Sequence, residues 1–255
     1  MTPPLISVIT VCYNSEQFIS SCIESVNSQT YAHIEHIFID GGSTDDTLKI
    51  ISEKSKRNKI VVSEKDYGIY DAMNKGVRFS QGQILGFLNS DDYFYDSHSL
   101  EKIATKFSNT DLHIVHGNLV FVDKNLKVVR FWQAEQFYSG QFSKSMSPAH
   151  PTFYCRKEVY NSVGPFSLEY KIVGDLDFMF RALEIKNFRS AVVDEILLVM
   201  RIGGISTSSV YSTFTIFKEV QKIHKNYKVR FNVITYWLSK IFKMIKQRKN
   251  DITSP

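Results

Sequence analysis

The sequence is poor in cysteine. Its 255 residues contain three, Cys12, Cys22 and Cys155, an odd number without any Cys-x-x-Cys spacing. This pattern argues against a disulfide framework and against a structural zinc site. Unpaired cysteines fit a reducing compartment, so we expect a cytoplasmic protein.

Long apolar runs are also missing. A membrane-spanning helix needs ~18 or more uncharged apolar residues, and the longest candidate near the end covers only residues 231–239. The amino-terminal residues 1–4 lack the basic start of a secretory signal, and the apolar run at 5–12 is short. We therefore expect neither a membrane span nor export.

Two glycine-rich phosphate-binding patterns are absent. No apolar run is followed by Gly-x-Gly-x-x-Gly or by Gly-x-x-x-x-Gly-Lys-Ser/Thr. These absences exclude the usual backbone cradles for a dinucleotide and for ATP. If the chain binds phosphate groups, we expect a metal ion to neutralise them.

The first half of the chain alternates short β-branched runs with segments of helical spacing. Such alternation predicts an α/β fold with a mainly parallel sheet flanked by helices. Strands are predicted at 6–11, 34–39, 59–63 and 84–88, with helices at 15–29, from Asp45 onward, and at 69–79.

The second half is less regular. Residues 112–122 and 126–132 are rich in β-formers and are separated by a hairpin-like turn. The polar stretch 133–150 is predicted to contain a mobile loop, and 174–185 is predicted to be helical.

Polar and acidic residues follow each predicted strand of the first half. The carboxyl ends of parallel strands form the ligand crevice of an open α/β sheet. Carboxylates gathered there repel one another unless a divalent cation compensates, and oxygen ligands suit Mg²⁺ or Mn²⁺. The residues concerned are Tyr13 and Asn14, Asp40, Glu64 and Asp66, and the Asn89-Ser90-Asp91-Asp92 segment.

Four segments in this order, residues 7–14, 39–47, 68–76 and 88–92, resemble successive motifs of glycosyltransferase family 2. The resemblance covers about residues 5–205. It implies the GT-A fold, a nucleotide-diphospho-sugar donor (a UDP-sugar by default), Mg²⁺ or Mn²⁺, and inversion at the anomeric carbon. It also predicts a GT-A domain at 1–217, with a donor-binding half at 1–110 and an acceptor-binding half at 111–217.

The resemblance assigns roles to individual residues. Gly41 and Asn89 depart from its pattern, because carboxylates are frequent at both positions. The implied roles are nucleotide-sugar binding for Tyr13, Asp40, Asp71 and Asp91, metal binding for Asp91 and Asp92, catalysis for Asp175, and acceptor or diphosphate contact for His150 and Asp177.

The chemistry explains why such residues are needed. A sugar hydroxyl is a poor nucleophile, so a carboxylate such as Asp175 must accept its proton as the new bond forms. A metal ion stabilises the charge that develops on the departing nucleoside diphosphate. We predict an inverting, metal-dependent glycosyltransferase that acts on a glycan or lipid-linked hydroxyl in cell-surface polysaccharide biosynthesis.

Other readings of the same residues stay open. Tyr13 also suits a core position, Asp71 an i,i+4 pair with Lys75, and Asp177 a solvated helix face. Two further functions are a catalytically inactive carbohydrate-binding or scaffold subunit of the same fold and a nucleotidyltransferase. The second would normally carry a Gly- and Lys-rich phosphate loop after its first strand, where Cys12-Tyr13-Asn14-Ser15 stands.

The basic residues concentrate at the end of the chain. Residues 218–255 hold ten Lys and Arg against Glu219 and Asp251, and we predict an amphipathic helical tail there. Its helix would lie on an anionic membrane through residues 228–249, pack back on the domain, or pair with another subunit. The first arrangement predicts a peripheral protein on the inner face of the cell membrane, and no motif favours nucleic acid. Its apolar residues are Ile234, Trp237, Leu238, Ile241, Met244 and Ile245.

Overall fold

The computed structural model describes residues 3–203 and 210–249. Within these ranges, nine strands form one mixed sheet. They are β1 (Ile6–Cys12), β2 (Ile34–Asp40), β3 (Asn58–Ser63), β4 (Ile84–Phe87), β5 (Tyr93–Phe94), β6 (Ile114–Val122), β7 (Val128–Trp132), β8 (Tyr154–Arg156) and β9 (Ser190–Arg201).

The helices lie between and after these strands. They are α1 (Ile19–Asn27), α2 (Thr47–Lys54), α3 (Ile69–Phe79), α4 (Ser99–Lys106), α5 (Lys157–Val163), α6 (Gly174–Phe180), α7 (Val210–Asn226) and α8 (Val233–Lys249). Short 3₁₀ turns occupy Phe142–Lys144 and His150–Thr152, and a π-helical turn, Arg181–Ile185, continues α6.

The sheet has a parallel half and a mixed half. Strands β3, β2, β1 and β4 lie side by side and run parallel, as the alternating sequence pattern predicts. Strand β8 then pairs antiparallel with β4 and with β6, and β6 runs parallel to β9. Strands β1 and β2 are buried along their whole length because helices cover both faces, which explains their nearly continuous apolar sequence.

Close packing of α3 on the sheet sets the position of its amino terminus. A Cβ built on Gly76 would collide with the Ile9 side chain of β1, so the helix lies nearer to the sheet than any larger residue permits. The opposite end of α3 carries Tyr70 and Asp71 beside the carboxyl ends of the strands.

Two predicted boundaries differ from the structure. Helix α1 begins at Ile19, not at Ser15, because residues 15–18 form a turn in which the Phe18 and Ile19 amides both donate to the Ser15 carbonyl. The predicted boundary at 217/218 falls inside α7, whose Val220 and Ile223 are buried in the core.

Helix α7 is also tied to the chain just before α6. The Glu219 carboxylate accepts hydrogen bonds from three consecutive backbone amides at 2.8, 3.1 and 3.1 Å. These amides belong to Lys171, Ile172 and Val173. The first helix of the predicted tail is therefore an integral part of the domain.

Candidate active site

The carboxyl ends of β1 and β2 form the first wall of the site. Cys12 is in register with Asp40, and the Gly41 amide donates to the Cys12 carbonyl at 2.9 Å. Tyr13 follows directly and is 63% exposed. Asn14 has a φ of 46°, and its amide donates to Ser43 Oγ at 2.8 Å. Tyr13 therefore does not occupy the core position that its sequence also suited, and its ring is open to solvent.

Asp40 lies inside the turn that follows β2 and is fully buried. Its carboxylate accepts hydrogen bonds from the amides of Gly42 and Ser43 at 3.1 and 3.0 Å, and from the Ser43 and Ser63 hydroxyls. With four donors already bound, Asp40 shapes the turn and does not present its carboxylate to the cleft. This placement differs from the predicted direct contact with the nucleotide.

A carboxylate from a different loop lies beside Gly41. Asp66, in the segment between β3 and α3, places Oδ2 2.7 Å from the position of a Cβ built on Gly41. Its Oδ1 accepts the Gly68 amide at 2.9 Å, and the Tyr13 ring lies 3.4 Å from the same Cβ position. From the sequence, Asp66 is expected at this edge only as one of several carboxylates that follow the strands, and its position beside Gly41 and Tyr13 makes it a candidate site residue in its own right.

Asp71 is held by its own helix. Lys75 Nζ lies 3.4 Å from Asp71 Oδ2 and 2.9 Å from Glu64 Oε1, and the Tyr67 amide donates to Asp71 Oδ2 at 3.1 Å. The side chains of Asp71 and Lys75 are largely buried. The geometry is that of the i,i+4 pair, which fixes the loop carrying Asp66 in place.

The turn after β4 brings Asn89, Ser90, Asp91 and Asp92 to the same edge. Ser90 Oγ lies 3.0 Å from Ser15 Oγ, which joins this turn to the one that carries Tyr13. Asp91 is partly exposed, whereas Asp92 is fully buried and its Oδ1 accepts the Arg201 amide at 3.3 Å. Burial, with the charge of Asp91, raises the pKa of Asp92 well above its ordinary value.

The donor set of this turn fits a divalent cation. Among the described residues, the buried atoms Asn89 Oδ1 and Asp92 Oδ2 have no hydrogen-bond partner. Unpaired oxygens beside the carboxylate of Asp91 are the ligand type that Mg²⁺ and Mn²⁺ prefer. The same described ranges contain no group of three or more His, Cys, Asp or Glu suited to a metal. A cation here would need phosphate or water oxygens to complete its coordination.

His150, Asp175 and Tyr70 come together from three elements. His150 Nδ1 lies 3.1 Å from Asp175 Oδ2, and the Tyr70 hydroxyl lies 3.3 Å from Asp175 Oδ1 and 2.5 Å from the Ile172 carbonyl. Burial and the Asp175 charge raise the pKa of Tyr70, so its hydroxyl stays a proton donor. Asp175 and His150 both remain partly exposed.

Strand pairing places this cluster beside the Asn89–Asp92 turn. Strand β8 pairs antiparallel with β4, so the residues that precede β8 lie at the end of the sheet where β4 ends. The turn His150–Thr152 contacts both β4 and α6. The candidate base and the candidate metal-binding turn therefore share one edge of the sheet.

Asp177 is placed away from this cleft. It is fully buried and accepts a hydrogen bond from Arg181 Nε at 2.9 Å. Arg181 also donates to the carbonyls of Val163 and Pro165 at 2.6 and 2.8 Å. Through Arg181, Asp177 anchors α6 to the preceding loop. In the structure it forms an internal ion pair, so it neither lies on a solvated helix face nor faces the cleft where an acceptor or diphosphate would bind.

These features define a class before any comparison. An open parallel half-sheet ends in an exposed aromatic residue, a turn whose oxygens suit a cation and a partly exposed carboxylate, which defines an α/β protein that binds its ligand at the carboxyl ends of its strands. A sequence model described as glycosyl transferase family 2 matches residues 7–169. The match covers more than half of the chain, and the chain belongs to glycosyltransferase family 2.

Curated relatives agree with this family. A PGL/p-HBAD biosynthesis glycosyltransferase of Mycobacterium bovis is 28% identical over 222 residues, which cover 84% of each chain. An uncharacterized glycosyltransferase of Mycobacterium tuberculosis is 31% identical over 185 residues, which cover 70% of this chain and 69% of that protein. The chain is thus a glycosyltransferase.

Solved structures share the fold. Staphylococcus aureus TarS 1-349 in complex with UDP-GlcNAc has a TM-score of 0.65 and 21% identity, covering 86% of this chain and 66% of that one. The mannosyltransferase PcManGT of Pyrobaculum calidifontis, in complex with GDP-Man and Mn²⁺, has a TM-score of 0.65 and 13% identity, covering 94% and 70%. The GT-A fold predicted from the sequence is confirmed.

Proposed function

We propose that this glycosyltransferase moves a sugar, with inversion, from a nucleotide-diphospho-sugar to a hydroxyl of a glycan or lipid-linked acceptor, and that a divalent cation assists. The main support for this proposal is that the turns and side chains of the candidate site are in contact with one another along one edge of the sheet. The Ser15–Ser90 contact joins the Tyr13 turn to the cation-suited turn, and His150 links that edge to Asp175.

The nucleotide binds at the Tyr13 turn. The exposed ring of Tyr13 stacks on the base, and Asp66 accepts hydrogen bonds from base or ribose beside the side-chain-free Gly41. A carboxylate acceptor suits a base that presents a ring N–H, as uracil does, which supports a UDP-sugar as the default donor. Asp40 and Asp71 act through the backbone turns that they hold.

The diphosphate lies at the Asn89–Asp92 turn. Asp91 is the accessible carboxylate for Mg²⁺ or Mn²⁺, and the unpaired Oδ2 of Asp92 is a second oxygen for the same ion. When bound, the cation stabilises the negative charge of the leaving nucleoside diphosphate. A structure with Mn²⁺ bound to PcManGT supports this assignment by analogy of fold.

Asp175 is the base. Its Oδ2 lies 3.1 Å from His150 Nδ1 and its Oδ1 lies 3.3 Å from the Tyr70 hydroxyl, which donates to the Ile172 carbonyl at 2.5 Å, so polar groups border the carboxylate on both sides. A carboxylate has about four acceptor positions, which leaves room for the hydroxyl of the incoming sugar. Deprotonation of that hydroxyl, as its oxygen attacks the anomeric carbon from the face opposite the diphosphate, gives inversion.

The location of the reaction follows from the acceptor class. We place the enzyme in the cytoplasm, peripheral on the inner face of the cell membrane, where it contributes to cell-surface polysaccharide assembly. The basic segment 228–249 supports this placement. In residues 3–203 and 210–249, no helix has the length and apolarity needed to cross a bilayer.

A donor screen tests the proposal. UDP-, GDP-, CMP- and dTDP-sugars are compared by thermal shift with and without Mn²⁺, and slow donor hydrolysis is then measured for each sugar that binds. We expect one nucleotide class to raise the melting temperature in a Mn²⁺-dependent way. Neither binding nor hydrolysis with any donor would support an inactive subunit, and release of pyrophosphate from a nucleoside triphosphate would indicate a nucleotidyltransferase.

A further inference from the structure

Helix α8 packs on the domain through one side. It contacts β7 and the 3₁₀ turn Phe142–Lys144. Tyr236 and Gln247 are buried, and Lys243 Nζ lies 3.7 Å from the ring centroid of Trp132. Burial lowers the pKa of Lys243 to about 7. Positions 236, 243 and 247 share one face of a helix with 3.6 residues per turn.

The opposite side of α8 is apolar and exposed. At about 100° per residue, five large side chains fall within an arc on the order of 100°, centred roughly opposite the packed face. We call this set the α8 stripe. It consists of Ile234 (71% exposed), Leu238 (64%), Ile241 (54%), Phe242 (71%) and Ile245 (51%).

This arrangement reverses the ordinary rule for a surface helix, which buries its apolar stripe and exposes its polar side. The sequence pattern groups Trp237 with the stripe, but in the structure its ring packs among Phe217 and Tyr236. A contiguous exposed apolar patch marks a surface that another molecule covers.

The charge of α8 decides which occupant fits. Residues 233–249 contain neither Asp nor Glu and five Lys and Arg, of which Lys243 lies on the packed face and does not contribute to the outer surface. Lys228 and Arg230, which precede the helix, are exposed. Pairing two copies of this helix would bring like charges together, which disfavours self-association. An anionic lipid surface offers both complementary charge and an apolar layer.

We propose that the α8 stripe inserts into the interfacial layer of an anionic phospholipid bilayer, with α8 parallel to the membrane plane and the domain held on its cytosolic side. The proposal rests on the proposed function only for the inner-membrane setting. It adds the surface and the orientation, and lipid binding is measured without any transfer reaction.

Vesicle sedimentation tests the proposal with the full chain. The protein is mixed with vesicles of phosphatidylcholine alone and with vesicles of phosphatidylcholine and phosphatidylglycerol at 7:3. We expect binding to the mixed vesicles that weakens as NaCl rises, and much weaker binding to phosphatidylcholine. The double variant Leu238→Gln/Ile241→Gln should bind the mixed vesicles about tenfold or more weakly, because two inserted side chains lose their apolar contact.

The matched control is Leu168→Gln, which changes an exposed leucine outside α8. It should bind vesicles as the wild type does. Both variants replace exposed side chains, so thermal unfolding should be unchanged in each and should exclude misfolding as a cause. Donor hydrolysis by the double variant in vesicle-free solution should equal that of the wild type, which separates this proposal from the proposed function.

Two results would overturn the proposal. One is equal vesicle binding by the wild type and the double variant. The other is a wild-type mass that doubles with concentration in sedimentation velocity while the double variant stays monomeric, which would assign the α8 stripe to a second copy of this chain.

Discussion

His150 Nδ1 and Asp175 Oδ2 lie 3.1 Å apart and join the turn beside β4 to the start of α6. The two residues are 25 positions apart in the sequence, and neither is fully buried. Because the Tyr70 hydroxyl lies near the other oxygen of Asp175, the carboxylate is positioned from both sides. The role of each residue of this pair in the transfer step can therefore be tested by substitution.

Asp175→Asn should keep donor affinity and lower the transfer rate by about 10²-fold or more, because an amide cannot accept the acceptor's proton. Donor affinity is measured by calorimetry and transfer by product formation. Asp111→Asn, in an exposed pair with Arg189, is the matched control and should leave both quantities unchanged. Loss of donor binding in Asp175→Asn would instead place this residue in the donor site.

His150→Ala should lower kcat by about 10- to 100-fold with little change in donor KM, because Asp175 loses the polar group that lies 3.1 Å from Oδ2 and helps to orient it. His150→Gln retains a side-chain N–H donor and should recover part of the rate. Equal rates for the Ala and Gln variants would show that the polar contact at position 150 has no role in positioning Asp175.

Gly41→Ala should weaken donor binding about tenfold, which corresponds to about 1.4 kcal/mol. The added Cβ would lie 2.7 Å from Asp66 Oδ2 and would push that carboxylate away from Tyr13. Asp66→Ala should have a similar effect, and the double variant should be no worse than either single one, since both act on the same contact. Additive losses in calorimetric titrations would contradict this link.

Asp91→Asn should raise the Mn²⁺ concentration needed for donor binding by at least about tenfold, because the accessible charged ligand is lost. Donor titrations at several Mn²⁺ concentrations measure the change. Wild-type protein treated with a chelator should show the same weak donor binding as the variant without metal. A metal response identical to that of the wild type would remove Asp91 from the cation site.

Two buried histidines should make the fold sensitive to acid. Burial lowers the pKa of His36 to about 3 and that of His116 to about 4, against an ordinary value of about 6.5. At a pH between the folded and the unfolded pKa of a histidine, the unfolded chain binds a proton that the folded chain does not. The free energy of unfolding therefore falls as pH falls below about 6.5. At pH 5, each of the two histidines should lower the free energy of unfolding by about 2 kcal/mol relative to pH 7.5.

His116→Leu isolates one of these contributions. Among the described residues, neither ring nitrogen of His116 has a hydrogen-bond partner, so an apolar replacement loses no bond. Urea unfolding at pH 7.5 and pH 5 should show a pH-dependent loss about 2 kcal/mol smaller than in the wild type. The exposed His33, for which no ion pair is found among the described residues, is the control, and His33→Ala should keep the wild-type difference.

The parallel half of the fold was predictable because its signals are local. Helix α3 begins at Ile69 and ends at Phe79, as predicted, since apolar spacing marks its face and Gly68 precedes it with a φ of 110°. Strands β1 to β4 likewise follow their β-branched runs to within a residue or two. Motif order within this half also identified the family.

Contacts between distant segments were not predictable. Asp66 lies beside Gly41 although the two are 25 positions apart in the sequence, and no spacing rule connects two loops. Asp40 and Asp177 have the charge expected of site residues, but burial occupies them with turn amides and with Arg181. The apolar spacing in the tail predicts a helix with an apolar side. Which side of α8 packs on the domain depends on distant residues, namely Trp132 of β7 and the turn Phe142–Lys144.

The Glu219 carboxylate of α7 is hydrogen-bonded to the backbone just before the candidate base Asp175. Its three backbone partners end at Val173, two residues before the candidate base. An enzyme shortened at residue 217 would lose Glu219 and its three hydrogen bonds, which would loosen the backbone that leads into Asp175, so any shorter form of the protein must retain α7.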